Sequence, residues 1–107
     1  MMEVNNREPK SGNVFADLNI PEPFLYLAKA QLAHQICRII EERNLTQVEA
    51  AEILGINQPK VSTLTRGNLD GFECDRLFKF LNLLDQDIEI VIRPHTDPNQ
   101  EAGIRVS

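Results

Sequence analysis

The sequence has little of what most functional classes require. It holds only two cysteines, Cys37 and Cys74, far apart and outside any CxxC or Cys/His cluster. That excludes a disulfide framework and a zinc site and leaves two packing residues with free thiols. No apolar run approaches the ~18 residues that span a bilayer, and the polar opening MMEVNNREPK has no feature of a targeting segment. A cytoplasmic protein without a membrane partner is expected. Of the two histidines, His34 falls in a helical stretch and His95 in a proline-containing tail. Neither has a carboxylate pair or a Gly-rich phosphate loop beside it, and Ser62 has no base in a recognisable arrangement, so neither an enzyme nor a cofactor is expected. Internal repeats and low-complexity tracts are also missing, as is any basic excess: the net charge is −5.

That charge is unevenly placed. Residues 1–24 hold four acids and two bases, residues 68–84 three and two, and residues 85–107 five and two. Between them, residues 25–67 set Lys29, Arg38, Arg43, Lys60 and Arg66 against Glu41, Glu42, Glu49 and Glu52, a net of +1. The acidic excess therefore belongs to the flanks, where it can engage a basic partner or maintain solubility.

With 107 residues, 42% of them hydrophobic, the chain supports one small domain with a single core. Residues 1–20 are polar and aperiodic, which reads as a mobile arm before a domain over 21–94. Pro21 and Pro23 bracket a helix start. From about Pro23 to Arg43, Leu25, Ala28, Leu32, Ile36, Ile39 and Ile40 recur at three- and four-residue steps, the stripe of a long helix. A final helix within residues 68–84 carries Leu77, Phe80, Leu81 and Leu84, with Phe72 placed to staple against Leu77. DIEIVIR, residues 87–93, alternates Ile88, Ile90 and Ile92 on one face, which predicts a half-buried strand. The tail over 95–107 has no period and is expected to be loose.

Between the long helices lies TQVEAAEILGINQPKVSTLTRG, residues 46–67. Thr46 followed three residues later by Glu49 is a capping box, and Leu45 can staple to Ala50, so a short helix begins at Gln47. Gly55 ends it in a left-handed backbone conformation. Asn57 is an N-cap, Pro59 falls where its missing N–H costs nothing, and Ile56 can staple to Val61, so a second short helix follows. Ala51, Leu54, Ile56, Val61 and Leu64 point into the junction. The pattern is helix, tight turn, helix.

The outward face of the second helix carries Gln58, Pro59, Ser62 and Thr63, opposite Val61 and Leu64. Glutamine makes a bidentate pair with an adenine edge, and Ser, Thr and the proline ring touch other bases or a thymine methyl. Lys60 and Arg66 flank that face and suit phosphates. So do the N–H groups around Thr46 and Gln47 at the start of the preceding helix, and Gln47 is placed to brace Gln58. Such polar faces are usually only solvated, but Ala51, Gly55, Ile56, Asn57, Val61 and Leu64 together at helix-turn-helix spacing are much rarer. Double-stranded DNA is the partner this favours, over a domain used only for protein contacts.

The block from Gln47 to Gly67 resembles the phage-repressor-like, or XRE-type, DNA-binding domains. SGNVFADLNIP, AKAQLAHQI, INQPKVS, and GF followed later by QDIEIVIRP resemble more narrowly the HigA-type antitoxins of that superfamily, over residues 11–94. The resemblance implies an all-α, repressor-like helix-turn-helix bundle of four to five helices. It implies a homodimer on a palindromic operator, autorepression, and neutralisation of a RelE-like messenger-RNA endonuclease toxin. It also implies base reading by Gln58, Pro59, Ser62 and Thr63, with Gln47, Lys60 and Arg66 on the backbone. A stand-alone XRE-type repressor without a toxin is the alternative.

Two further expectations concern the flanks. Phe15, Leu18 and Ile20 belong to a segment too short for its own core, and together with the acidic termini they suit a basic toxin. Strand 87–93 finds no partner in a helical bundle, so Ile88, Ile90 and Ile92 are expected to pair antiparallel with the same strand of a second subunit. Pairing with residues 13–20 is the rival.

Overall fold

The structure, a computed structural model, describes residues 22–100 and 102–106. Four helices follow in order: α1 over Glu22–Glu42, α2 over Gln47–Leu54, α3 over Gln58–Thr65 and α4 over Cys74–Leu83. Helix α1 packs chiefly along α4, α2 packs chiefly against α3, and the two pairs close on one core.

The stripes legible in the sequence are the ones buried. On α1, Ala28, Leu32, Ala33, Ile36, Ile39 and Ile40 are inside; α2 and α3 contribute Ala50, Ala51, Leu54, Val61 and Leu64. Phe72, Leu77, Phe80, Leu81 and Leu84 complete the core from α4 and its flanks. Leu45 and Ile56, each just before the cap of a short helix, pack half-buried against this cluster, as staples do. Among the described residues no buried side-chain polar atom lacks a hydrogen bond. Both thiols are free, with Cys74 buried and Cys37 half-buried.

The two long helices are tied at their ends. Arg43, just past α1, donates from Nη2 to the carbonyl of Leu84 at 2.7 Å, where α4 stops. Asn44 and Asp85 take left-handed backbone angles at these two ends, with φ of 54° and 62°. Helix α4 begins later than the pattern suggested. Residues 68–73 form a turn-containing loop in which buried Leu69 and Phe72 lead into the N-cap Glu73. Phe72 meets Phe80 edge-on with centroids 6.1 Å apart, and the Arg76 guanidinium sits 5.5 Å from both ring centres.

Two expectations, the strand and the loose tail, are revised. The described residues contain four helices, the lower of the expected numbers. They contain no strand, and residues 87–93 carry no ladder. Ile88 is half-buried against the core, whereas Ile90 is 66% and Ile92 87% exposed. The physical reason is that a strand exists only by hydrogen bonding to a neighbour, and a helical body presents no open edge. The tail is irregular, as expected, but not detached: the Val106 N–H donates to Gln31 Oε1 at 2.9 Å, and Gly103 lies against the Phe24 ring. The arm, with Phe15, Leu18 and Ile20, lies outside the described residues. Among the described residues, no helix is long and apolar enough to cross a membrane, and no cluster of three or more His, Cys, Asp or Glu side chains suits a metal.

Candidate nucleic-acid interface

Local bonding places α2 and α3 tightly relative to one another. At the start of α2 the capping box is complete: Glu49 N–H donates to Thr46 Oγ1 at 3.1 Å, and Thr46 N–H donates to Glu49 Oε1 at 2.9 Å. The Thr46 backbone N–H first, and then the Thr46 side chain, hold the Glu49 carboxyl below its usual value. At the other end, Gly55 at φ 71° and Ile56 both donate to the Ala51 carbonyl, at 2.9 and 3.1 Å. Three residues, Gly55 to Asn57, thereby carry the chain from α2 into α3. Asn57 then caps α3 by accepting from the Lys60 N–H at 2.9 Å.

Helix α3 is seated by Val61 and Leu64, each almost completely buried, so its opposite side faces solvent. There Gln58, Pro59 and Lys60 are exposed and Ser62 and Thr63 are half-buried. The five lie on one accessible edge, as the spacing required. Their freedom differs. The Thr63 hydroxyl donates to the Pro59 carbonyl at 2.9 Å, which leaves its oxygen as an acceptor and its methyl for contact. Arg66 folds back, with Nε 3.3 Å from the Ser62 carbonyl, so its terminal nitrogens are what remain for a phosphate. Gln58 and Lys60 make no side-chain bond among the described residues and are the most available groups. No hydrogen bond joins Gln47 to Gln58; the expected brace is absent in the unbound chain.

The capping geometry also redistributes the backbone donors. Thr46 was expected to offer phosphate a free N–H, but that group is already committed to Glu49. The open donors at the α2 N-terminus are the N–H groups of Gln47 and Val48, which aim outward along the helix axis. At α3, Pro59 has no N–H and Asn57 takes that of Lys60, so Gln58 alone keeps an open one. Sequence reasoning passed over Val48, because an apolar residue in a periodic stretch reads as core. It is in fact 48% exposed and lines an open depression beside the turn with Ala51, Glu52, Gly55, Ile56, Asn57 and Gln58. The signal that could have found it is its N2 position behind a capping threonine.

This arrangement can do two things chemically. One helix offers a hydrogen-bonding and apolar edge of the width a major groove admits, and the flanking cations and open N–H groups hold oxyanions on either side. Comparison with known proteins agrees with the geometry. A sequence model described as a helix-turn-helix domain matches residues 14–93. Among solved structures, a chain described as an XRE family transcriptional regulator is 44% identical with a TM-score of 0.76, the match covering 81% of this chain and 98% of that one. No curated protein matches.

Proposed function

Because this chain belongs to the helix-turn-helix domain family, and within it to the XRE type, we propose that it is a sequence-specific DNA-binding transcriptional regulator. It binds a palindromic operator as a two-fold dimer, is cytoplasmic and carries out no catalysis. The observation that carries this reading is the exposed edge Gln58–Pro59–Lys60 with Ser62 and Thr63, held up by buried Val61 and Leu64 at helix-turn-helix spacing. Gln58 reads an adenine edge; Lys60, Arg66 and the Gln47 and Val48 N–H groups hold phosphates. Replacing Gln58 with Ala should relax base preference at one position per half-site by ~1–3 kcal/mol. Lys60→Ala should weaken binding to every sequence alike and lower the salt slope by about one. Gel-shift titrations at several salt concentrations measure both. A Gln58→Ala protein that discriminates operator from scrambled DNA as the parent does would show that another face reads the bases.

The finer reading is that the regulator is an antitoxin, neutralising a basic, RelE-like ribonuclease and repressing its own operon. Support comes from the acidic flanks and from the likeness of residues 11–94 to HigA-type antitoxins. A stand-alone repressor accords equally well with the fold. An adjacent reading frame encoding a small basic protein decides between them: its expression should arrest growth, and co-expression of this chain should relieve the arrest. Growth arrest unchanged by this chain would leave the stand-alone repressor.

A further inference from the structure

The outward edge of α3 is not uniform in its chemistry, because part of it has lost its hydrogen-bond donors. Pro59 is exposed and has no N–H to offer. Thr63, half-buried, lies four residues on and so on the same side of the helix. Its hydroxyl donates to the Pro59 carbonyl at 2.9 Å, which spends its one proton on the helix backbone. Thr65 spends its own in the same way, on the Ser62 carbonyl at 3.1 Å. The N–H of Lys60 is taken by Asn57 Oδ1 at 2.9 Å. The Pro59 ring and the Thr63 methyl are thus neighbours one turn apart, and neither residue contributes a free donor.

An apolar spot on a helix that enters the major groove has one base feature to meet, the methyl group on C5 of a pyrimidine. We infer that Pro59 and Thr63 together form a methyl-reading subsite, through which α3 reads a thymine beside the adenine edge read by Gln58. The inference rests on the DNA-reading function proposed above and assigns a chemistry to two of its residues. The edge is then divided: Gln58 reads by hydrogen bonds, and the Pro59–Thr63 pair reads by contact. The hydroxyl bond has a part in this, since it fixes one branch of the Thr63 side chain on the helix and leaves the methyl as the other.

Other assignments fit the pair less well. A base acceptor finds no donor at either residue, since the Thr63 proton is committed and proline has none. A base amino group donating to the Thr63 oxygen would leave the proline ring without a role. Packing on a deoxyribose would use both apolar groups but would not depend on sequence. The methyl of 5-methylcytosine has the same chemistry; thymine is assigned because unmodified DNA already carries its methyl.

The test removes the methyl and nothing else. Duplexes selected by the full-length parent from a random-sequence pool are remade with each thymine in turn replaced by uracil, whose hydrogen-bonding edge is the same, and affinities are measured by gel shift at fixed salt. One thymine per half-site should prove sensitive, with uracil costing about fourfold in affinity, as for one methyl group withdrawn from contact. Thr63→Ser keeps the hydroxyl and lacks the methyl, and should reduce that factor to about twofold because the proline ring remains. Pro59→Ala should do the same from the other side. Thr63→Val keeps the methyl and lacks the oxygen, and should retain the factor. Circular dichroism checks that each variant keeps the helical signal, and the uracil scan of the parent stands without them. A factor lost in Thr63→Val and kept in Thr63→Ser would set the hydroxyl against the base and overturn the methyl subsite. So would a parent indifferent to uracil at every position while Gln58→Ala still relaxes base preference, which leaves α3 as the reading helix. Indifference to uracil together with an unaltered Gln58→Ala chain would overturn the reading edge itself. Every uracil tolerated, with affinity raised only by methylation of a cytosine, would overturn thymine as the source.

Discussion

Cys74 shows how far a single side chain's behaviour departs from its type. It opens α4 but is wholly buried, and desolvation pushes its thiol up to about 11 from an ordinary 9.0, with Lys29 pulling slightly the other way. An acid whose folded value is raised stabilises the fold fully below the unfolded value and loses that contribution as pH climbs through the folded one. The window is therefore alkaline, from about pH 9 to about pH 11. Urea midpoints should fall across that window, and less steeply in a Cys74→Ala chain. Cys37 on α1 is also raised, by burial and then by the neighbouring Glu41 charge, and adds to the slope in the same direction. The same cysteines read correctly from sequence as free packing residues, because nothing near them in the chain offered a second thiol or a metal ligand.

At the scale of elements, the two short helices owe their existence to their ends. Eight residues is too few for a stable isolated helix, so α2 and α3 depend on caps, on the turn between them and on the buried side chains beneath. Gly55 is the hinge of that arrangement. Its φ of 71° lies in the left-handed region, and a Cβ there would meet nothing within 4 Å. The cost of Gly55→Ala is then purely conformational, about 1–2 kcal/mol, because the strain has no packing clash to add to it. Chemical denaturation should return a loss in that range with an unchanged m-value. A loss several times larger would mean that the substitution had displaced α3. Most of this element was readable in advance, since Thr46, Glu49, Gly55, Asn57 and Pro59 act through bonds to residues at most four positions away. The commitment of the Thr46 N–H to Glu49 follows from the same box and narrows where phosphate finds a donor.

For the whole molecule, the question is how a chain of net charge −5 holds DNA. The bases proposed to meet DNA, Lys60 and Arg66, sit on or just beyond α3, while Asp85, Asp87 and Glu89 follow α4. Electrostatic attraction to DNA is felt over about a Debye length, so the local balance at the reading helix matters more than the sum. Two reading heads in a dimer would double the phosphate contacts without changing that sum. The sequence by itself determined the four amphipathic stripes, the caps, the turn and the exposed polar edge of α3, because helical period and capping are properties of neighbours in the chain. Only the tertiary structure decided what residues 87–93 and the tail do. Alternation announced a strand, but a strand is a relation between two segments, and the helical body supplies no second one. Tail residues that looked loose have a partner in α1, seventy-five positions away at Gln31 and Val106, and no local pattern encodes a contact across that distance.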